Sequence, residues 1–345
     1  VLTLSTYPLV THKGAEEAKK AGRVYLLMLL GSSMMLLLPA ILWTWYLAGT
    51  VSFTPGGVLP STVAPAAIGL LLGLFAFGIG KAALMPMHFW LPRAMVAPTP
   101  VSALLHAVAV VKAGVFTMLK VVVYIFGIDT LAGSGQGEWL VYVAAATVLL
   151  ASLIAMTKDN LKARLAYSTI SQLSYVVLGA ALATGPAMIG GGLQIAMHAA
   201  GKITLFFCAG AIYTAAHKTE ISDMRGLGRA MPFTFIAFAI GALSIIGLPP
   251  TGGLWSKWYL ATGALDANQV IVVAVLMISS LLNVAYLLPI PIRAFFGGEP
   301  PKGRTAIKEA PLPCLIAIGT TSLACIALFF FPGPIFDLLG QIAVR

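Results

Sequence analysis

The chain has 345 residues, of which 59% are hydrophobic and only 9% charged, and its mean hydropathy of +0.95 excludes an ordinary soluble domain. A bilayer crossing takes about 20 apolar residues, so this length allows about nine or ten helical spans in a single domain, residues 1–345. The formal net charge of +10 could suggest a nucleic-acid partner, but the distribution of the basic residues fits membrane topology better, and no nucleic-acid partner is expected.

The opening VLTLSTYPLV reads as the last turns of an apolar helix, so residues 1–10 are expected to end a helix truncated at its N-terminus. Thr11 to Arg23 is a polar connection, and the first complete span is Val24 to about Ala48. After an uncharged loop, Gly49 to Thr62, a second span begins near Val63, carries Lys81 and breaks around Pro86, Pro92, Pro98 and Pro100. The third, Val101 to Phe126, contains His106, Lys112 and Lys120. Gly127 to Glu138 reads as a loop and Trp139 to Thr157 as a span, followed by a tight basic turn from Lys158 to Arg164. Leu165 to Ala183 and Ala187 to Ala216 form a hairpin, the second arm carrying His198 and Lys202. Beyond a polar loop, Phe233 to Leu265 is interrupted at GLPPTGG, which contains Pro249 and Pro250, and carries Lys257. Val270 to Ile292, a basic loop from Arg293 to Glu309, and Leu312 to Phe331 complete an all-α polytopic membrane protein of about nine spans, two of them broken.

The positive-inside rule tests this count. If Thr11 to Arg23 is cytoplasmic, alternating loops place fifteen basic residues, from Lys13 to Lys308, on the cytoplasmic side and only Arg345 on the other. The remaining five, Lys81, Lys112, Lys120, Lys202 and Lys257, lie within spans, whereas all eleven carboxylates fall in loops or the tail.

A lysine near the bilayer centre costs about 3 kcal/mol on insertion scales. Five without an intramembrane acid require neutralisation, hydration, or a partner outside this sequence. Desolvation favours the neutral amine over the ammonium, which is what a reversible proton carrier needs. Lys81 stands beside one Pro-broken segment and Lys257 follows another, 176 residues later. Paired interruptions of this kind point to inverted repeats with an ion path at their midplane. His198 and Lys202, four residues apart, share a helix face, and His106 and Lys112 nearly do. A buried histidine can also be a hydrogen-bonded core residue, but four Lys/His positions spread over the central spans favour a series. Lys120, near the end of its span, is expected to snorkel. Ser102, Thr117, Ser168, Ser171, Gln172, Ser174, Gln194 and Thr204 either hold water between the charged sites or bond helices together.

Cys208, Cys314 and Cys325 read as small core residues, and no phosphate loop, HExxH or CxxC occurs. Nothing binds a flavin, quinone or iron–sulfur cluster by motif, so no cofactor and no metal are expected. The chain reads as part of an ion transporter, not as an enzyme.

The stretches GKAALMPMHFWLPRAMVAPTPVSALLHAVAVVKAGVF, LAYSTISQLSY, MHAAGKITLFF, MRGLGRAMP and GLPPTGGLWSKWYL resemble the antiporter-like membrane subunits of respiratory complex I, membrane-bound hydrogenases and Mrp-type sodium/proton antiporters. The resemblance implies a fourteen-helix core of two inverted five-helix repeats. Here residues 24–126 would be the remainder of the first repeat, 139–292 the second, and 312–331 the last helix. It also implies a proton path through Lys81, His106, Lys112, His198, Lys202 and Lys257, with Pro86, Pro249 and Pro250 as broken-helix elements. The family's glutamate that pairs with the first lysine would fall immediately before Val1. Lys257 in place of an acid, Lys112 and THKGAEEAKKAG look most like the D component of the Mrp-type antiporter. The implied function is proton translocation in a multi-subunit sodium/proton antiporter of a prokaryotic plasma membrane. Its partners would be other membrane subunits, protons, sodium and the bilayer. The alternative is a proton-pumping subunit of complex I or a hydrogenase.

Overall fold

The computed structural model describes residues 1–298 and 308–343. Of the residues weighed above, Glu299, Lys302, Arg304 and Arg345 lie outside that range. The described residues are helical throughout, with one isolated bridge between Asn160 and Glu220. In chain order the helices are α1 (Leu2–Val10), α2 (Glu16–Ala48), α3 (Pro65–Gly78), α4 (Thr99–Phe126), α5 (Glu138–Thr157), α6 (Leu161–Leu182), α7 (Gly185–Ala216), α8 (Pro232–Ile246), α9 (Gly253–Asp266), α10 (Val270–Phe296), α11 (Leu312–Phe330) and α12 (Gly333–Ala343). Seven described helices are long and apolar enough to cross a bilayer, and the shorter apolar α3 and α8 are the first halves of the two broken spans. This is a multi-pass membrane protein.

The differences from the sequence reading are local. α2 starts at Glu16, inside the supposed polar connection, because Glu16 and Glu17 occupy the first turn, where carboxylates complement the helix dipole. Ile128–Ser134, read as loop, is a short helix closed by the left-handed Gly135. α12 was not anticipated: Leu339 packs over Gly192 of α7, Phe336 over Tyr259 at 4.9 Å between rings, and Ile342 against the core of the first half.

α6 is the axis of the packing, lying against α5 and α7 with almost its whole length buried. Its polar residues can be buried because each finds a partner on a neighbouring helix or its own backbone, which is the condition for placing hydroxyls and amides away from water. Asn160 caps its start by accepting from the Ala163 amide at 3.1 Å.

Both breaks have a sequence cause. α8 ends at Gly247, whose φ of +87° suits glycine, with the Gly247 and Leu248 amides both donating to the Leu243 carbonyl. Pro249 and Pro250 then cannot rejoin the helix. α3 ends earlier than the prolines suggest, at Gly78. Lys81 therefore sits on a 3₁₀ turn, Gly80–Ala82, and not in helix. The Met85–Pro86 and Pro249–Pro250 peptide bonds are cis. The first turn is held from below by Trp90, whose indole donates to the Gly80 carbonyl at 3.0 Å and whose ring meets Tyr25 edge-on at 5.5 Å.

The loops sort by end. Ser222 and Asp159 are hydrogen-bonded, Arg164 donates to the Tyr286 carbonyl, and Arg229 to the Phe295 carbonyl, so the described basic loops converge on one end. At the other end Gln269 and Tyr142 meet at Glu138, and Gly56 packs on Gly127.

Gly114 of α4 lies so close to this turn that a Cβ there would stand 2.4 Å from the Lys81 carbonyl carbon and the Ala82 nitrogen. Gly114→Ala is expected to destabilise the protein by about 1–3 kcal/mol through overpacking, measured as a lower thermal midpoint in detergent. Gly133→Ala, where a Cβ meets open space, should leave the midpoint unchanged.

Candidate proton-carrying axis

Two of the six Lys/His positions touch directly. Lys112 on α4 and His198 on α7 are both buried, with Lys112 Nζ 2.6 Å from His198 Nδ1. This contact joins the segment ending the first half of the chain to a central helix of the second. One turn before His198 on the same face is Gln194, whose side-chain amide donates to Gln172 Oε1 at 2.7 Å and which accepts from Ser256 Oγ at 2.6 Å. Ser256 is the neighbour of Lys257 in the first turn of α9.

Lys257 reaches back across the second break. Its Nζ donates to the Ile246 carbonyl at 2.6 Å and to Ser280 Oγ at 2.9 Å, and lies 5.4 Å from the Tyr175 ring centroid. Ile246 is the last residue of α8, so the ammonium occupies the negative end of a helix, where a cation is favoured.

His106 and Lys202 lie one step toward the basic end. His106 is on a π-helical turn, Leu104–Val108, a backbone defect frequent at functional positions. Its ring stands 5.5 Å from that of Phe206, one turn past Lys202 on α7. Lys202 is fully buried and donates to the Leu165 carbonyl at 3.2 Å. Neither ring nitrogen of His106, nor Nε2 of His198, has a protein partner among the described residues. Buried polar atoms are otherwise nearly always paired.

Lys81 is placed at the first break, half-buried, and makes no hydrogen bond among the described residues. Lys120 lies outside the axis, its Nζ 3.9 Å above the Phe53 ring at the far end, consistent with its expected snorkelling.

Several residues that extend this network escaped the sequence reading. The Tyr286 hydroxyl donates to Ser168 at 2.9 Å and also bonds Asn283. Ser152 bonds Ser171 at 3.0 Å and Ser279 at 3.4 Å. The Tyr175 hydroxyl is buried without a partner among the described residues. The usable signal was Ser279, Ser280, Asn283 and Tyr286 within one apolar helix: Ser279, Asn283 and Tyr286, at i, i+4 and i+7, fall on one face. Lys162, counted above only as a loop charge, donates to the Met95 and Ala97 carbonyls at 2.7 and 2.8 Å and ties α6 to the chain leaving the first break.

The family described as "NADH:quinone oxidoreductase/Mrp antiporter, TM" matches residues 1–283. The chain belongs to this family. It is 35% identical over 319 residues to NADH-quinone oxidoreductase subunit N of Desulforudis audaxviator, a match covering 91% of this chain and 62% of that protein. It is 34% identical over 294 residues to a Na(+)/H(+) antiporter subunit of Alkalihalophilus pseudofirmus, covering 78% and 35% respectively. The chain thus spans less than two thirds of the length of these relatives. Its fold superposes on a chain of the Mrp complex from Dietzia sp. with a TM-score of 0.86 at 24% identity, covering 98% of this chain and 71% of that one. It superposes equally on a chain of the archaeal membrane-bound sulfane sulfur reductase, TM-score 0.86 at 25% identity, covering 99% and 70%.

Because Lys112 and His198 are in contact, the effects of Lys112→Met and His198→Leu on stability are expected to be non-additive. A coupling of about 0.5–3 kcal/mol is the normal range for buried neighbours, measurable from the four unfolding midpoints of a double-mutant cycle in detergent.

Proposed function

We propose that the chain is the proton-translocating subunit of a multi-subunit monovalent cation (sodium)/proton antiporter. The observation that carries this reading is the Lys112–His198 contact at 2.6 Å between the two halves of the chain. It supports a main path Lys81, Lys112, His198, then Gln194 and Ser256, to Lys257. His106 and Lys202 form a branch toward the basic end. Lysine and histidine can each gain and lose a proton, and a charge on one disfavours a charge on the next, so protonation passes along the series as a moving vacancy. Gln194, Ser256 and the orphaned ring nitrogens of His106 and His198 are the positions where water would complete the hydrogen-bonded path. Sodium coupling, assembly with further membrane subunits and a plasma-membrane location are parts of the same reading, motivated by the sodium/proton antiporter relative and the Mrp complex fold match.

A second reading, a proton-pumping membrane subunit of a complex I-type or hydrogenase-type assembly, is favoured by the subunit N relative, which aligns over 91% of this chain. Under it the same path is driven by redox chemistry in other subunits. The subunits that co-purify with the protein separate the two: small antiporter subunits for the first, iron–sulfur subunits for the second.

Lys81→Met and Lys257→Met are each expected to lower proton translocation by inside-out vesicles at least tenfold with assembly retained, and near-normal rates would sink the proposal. Tyr175→Phe, which removes only a buried hydroxyl beside Lys257, should slow translocation severalfold without altering the thermal midpoint. For sidedness, the Thr11–Arg23 segment is proposed to be cytoplasmic. A Lys13→Cys variant should then react with a membrane-impermeant maleimide in inside-out vesicles and resist it in intact cells.

A further inference from the structure

At the basic end, the connection after α1, the start of α2, the chain leaving the first break, the start of α6, the end of α7 and the start of α11 surround a groove of about 1440 Å³. That is larger than the 300–1,000 Å³ of ordinary small-molecule pockets. Its rim carries Lys13, Lys20, Arg93, Lys158 and Lys218, and the only carboxylate lining it among the described residues is Glu17. Lys13, Lys20 and Arg93 have no hydrogen bond or ion pair among the described residues. Lys218 approaches Asp223 at 3.4 Å in a solvent-exposed pair, which contributes little. Lys162, deeper in the groove, is already committed to the Met95 and Ala97 carbonyls.

Below the rim the wall is apolar, with Met95, Val96, Phe206, Phe207 and Ala317. Along α7 the lining runs from Thr214 at the rim to Phe206, eight residues, which at 1.5 Å each is about 12 Å of depth. The headgroup zone on one side of a bilayer is only about 5–8 Å thick, so the wall continues into the hydrocarbon. We propose that this groove holds an anionic phospholipid, its phosphate among Lys13, Lys20 and Arg93 and its acyl chains along the wall. A soluble anion would satisfy the rim and leave about 12 Å of apolar wall uncovered. A protein helix would cover the wall but would have to bring acidic residues to meet five cations. An anionic lipid does both, and basic residues near an anionic surface contribute about 1 kcal/mol each to such binding. Because Lys13 and Lys20 belong to the first half of the chain and Lys158 and Lys218 to the second, the lipid bridges the two halves beside the Lys162 tie. The inference is independent of which complex the chain serves.

The test uses the full protein carrying this chain, delipidated in detergent and titrated with short-chain phosphatidylglycerol, short-chain phosphatidylcholine or inorganic phosphate while its thermal midpoint is followed. Phosphatidylglycerol should raise the midpoint and the other two should not. The combined variant Lys13→Gln/Lys20→Gln/Arg93→Gln should need at least tenfold more phosphatidylglycerol for the same rise. Arg225→Gln/Arg229→Gln, outside the groove, should match the unaltered protein. Ala317→Trp fills the apolar wall without touching a charge and should also weaken the response, so the test holds even where the triple variant does not fold. An equal rise with phosphate would mean a soluble-anion site, an unchanged response in both the triple variant and Ala317→Trp would place the lipid elsewhere, and no response in the unaltered protein would mean that protein fills the groove. Each of these overturns the proposal.

Discussion

A helix interrupted inside a membrane leaves carbonyls that no water-free environment will satisfy, and the disposition of donors in this protein answers that constraint. The carbonyl of Ile246 at the end of α8 accepts from Lys257, that of Gly80 after α3 accepts from the Trp90 indole, and those of Met95 and Ala97 beyond the first break accept from Lys162. An unpaired buried carbonyl costs about 1–3 kcal/mol and an unpaired intramembrane ammonium about as much or more. Bringing the two together offsets both costs. The lysines are thus explained as parts of the backbone before any transport is considered, and transport variants at these positions need a stability measurement beside them.

The same constraint separates what could be read in the sequence from what could not. The breaks were legible because proline and glycine leave few alternatives at GLPPTGG and around Pro86, and Lys81 and Lys257 were legible because no acid accompanies them. The i, i+4 spacing of His198 and Lys202 put them on one face of α7. The contact of Lys112 with His198 was hidden, since it depends on how two helices cross whose contacting residues are 86 positions apart. The network through Ser152, Ser279, Asn283 and Tyr286 was hidden for another reason. Single hydroxyls in apolar helices bond their own preceding turn as readily as a neighbour, as Ser152 does with Val148, so composition alone does not separate glue from path. The first break was misplaced toward the prolines because the helix ends at Gly78, where the chain must pass within contact of Leu36 and Leu37 of α2. That is a packing cause with no local signature.

The two breaks look alike in sequence yet hold their lysines differently. Lys257 is anchored twice, to a carbonyl and to Ser280, while Lys81 rides on the turn itself, half-buried and without a hydrogen bond among the described residues. The anchored ammonium is fixed relative to α8 and α10. The unanchored one is fixed only through its backbone, which rests on Gly114. Gly114 is two residues from Lys112 on α4, and Lys112 meets His198 on α7. A displacement of the first break is therefore transmitted by packed atoms to the contact joining the halves, whereas a displacement at the second break must first part Lys257 from Ile246 and Ser280. This asymmetry makes the first break the mobile end of the proposed path and the second its fixed end, a distinction that follows from hydrogen bonding and packing and needs no assumption about the coupled cation.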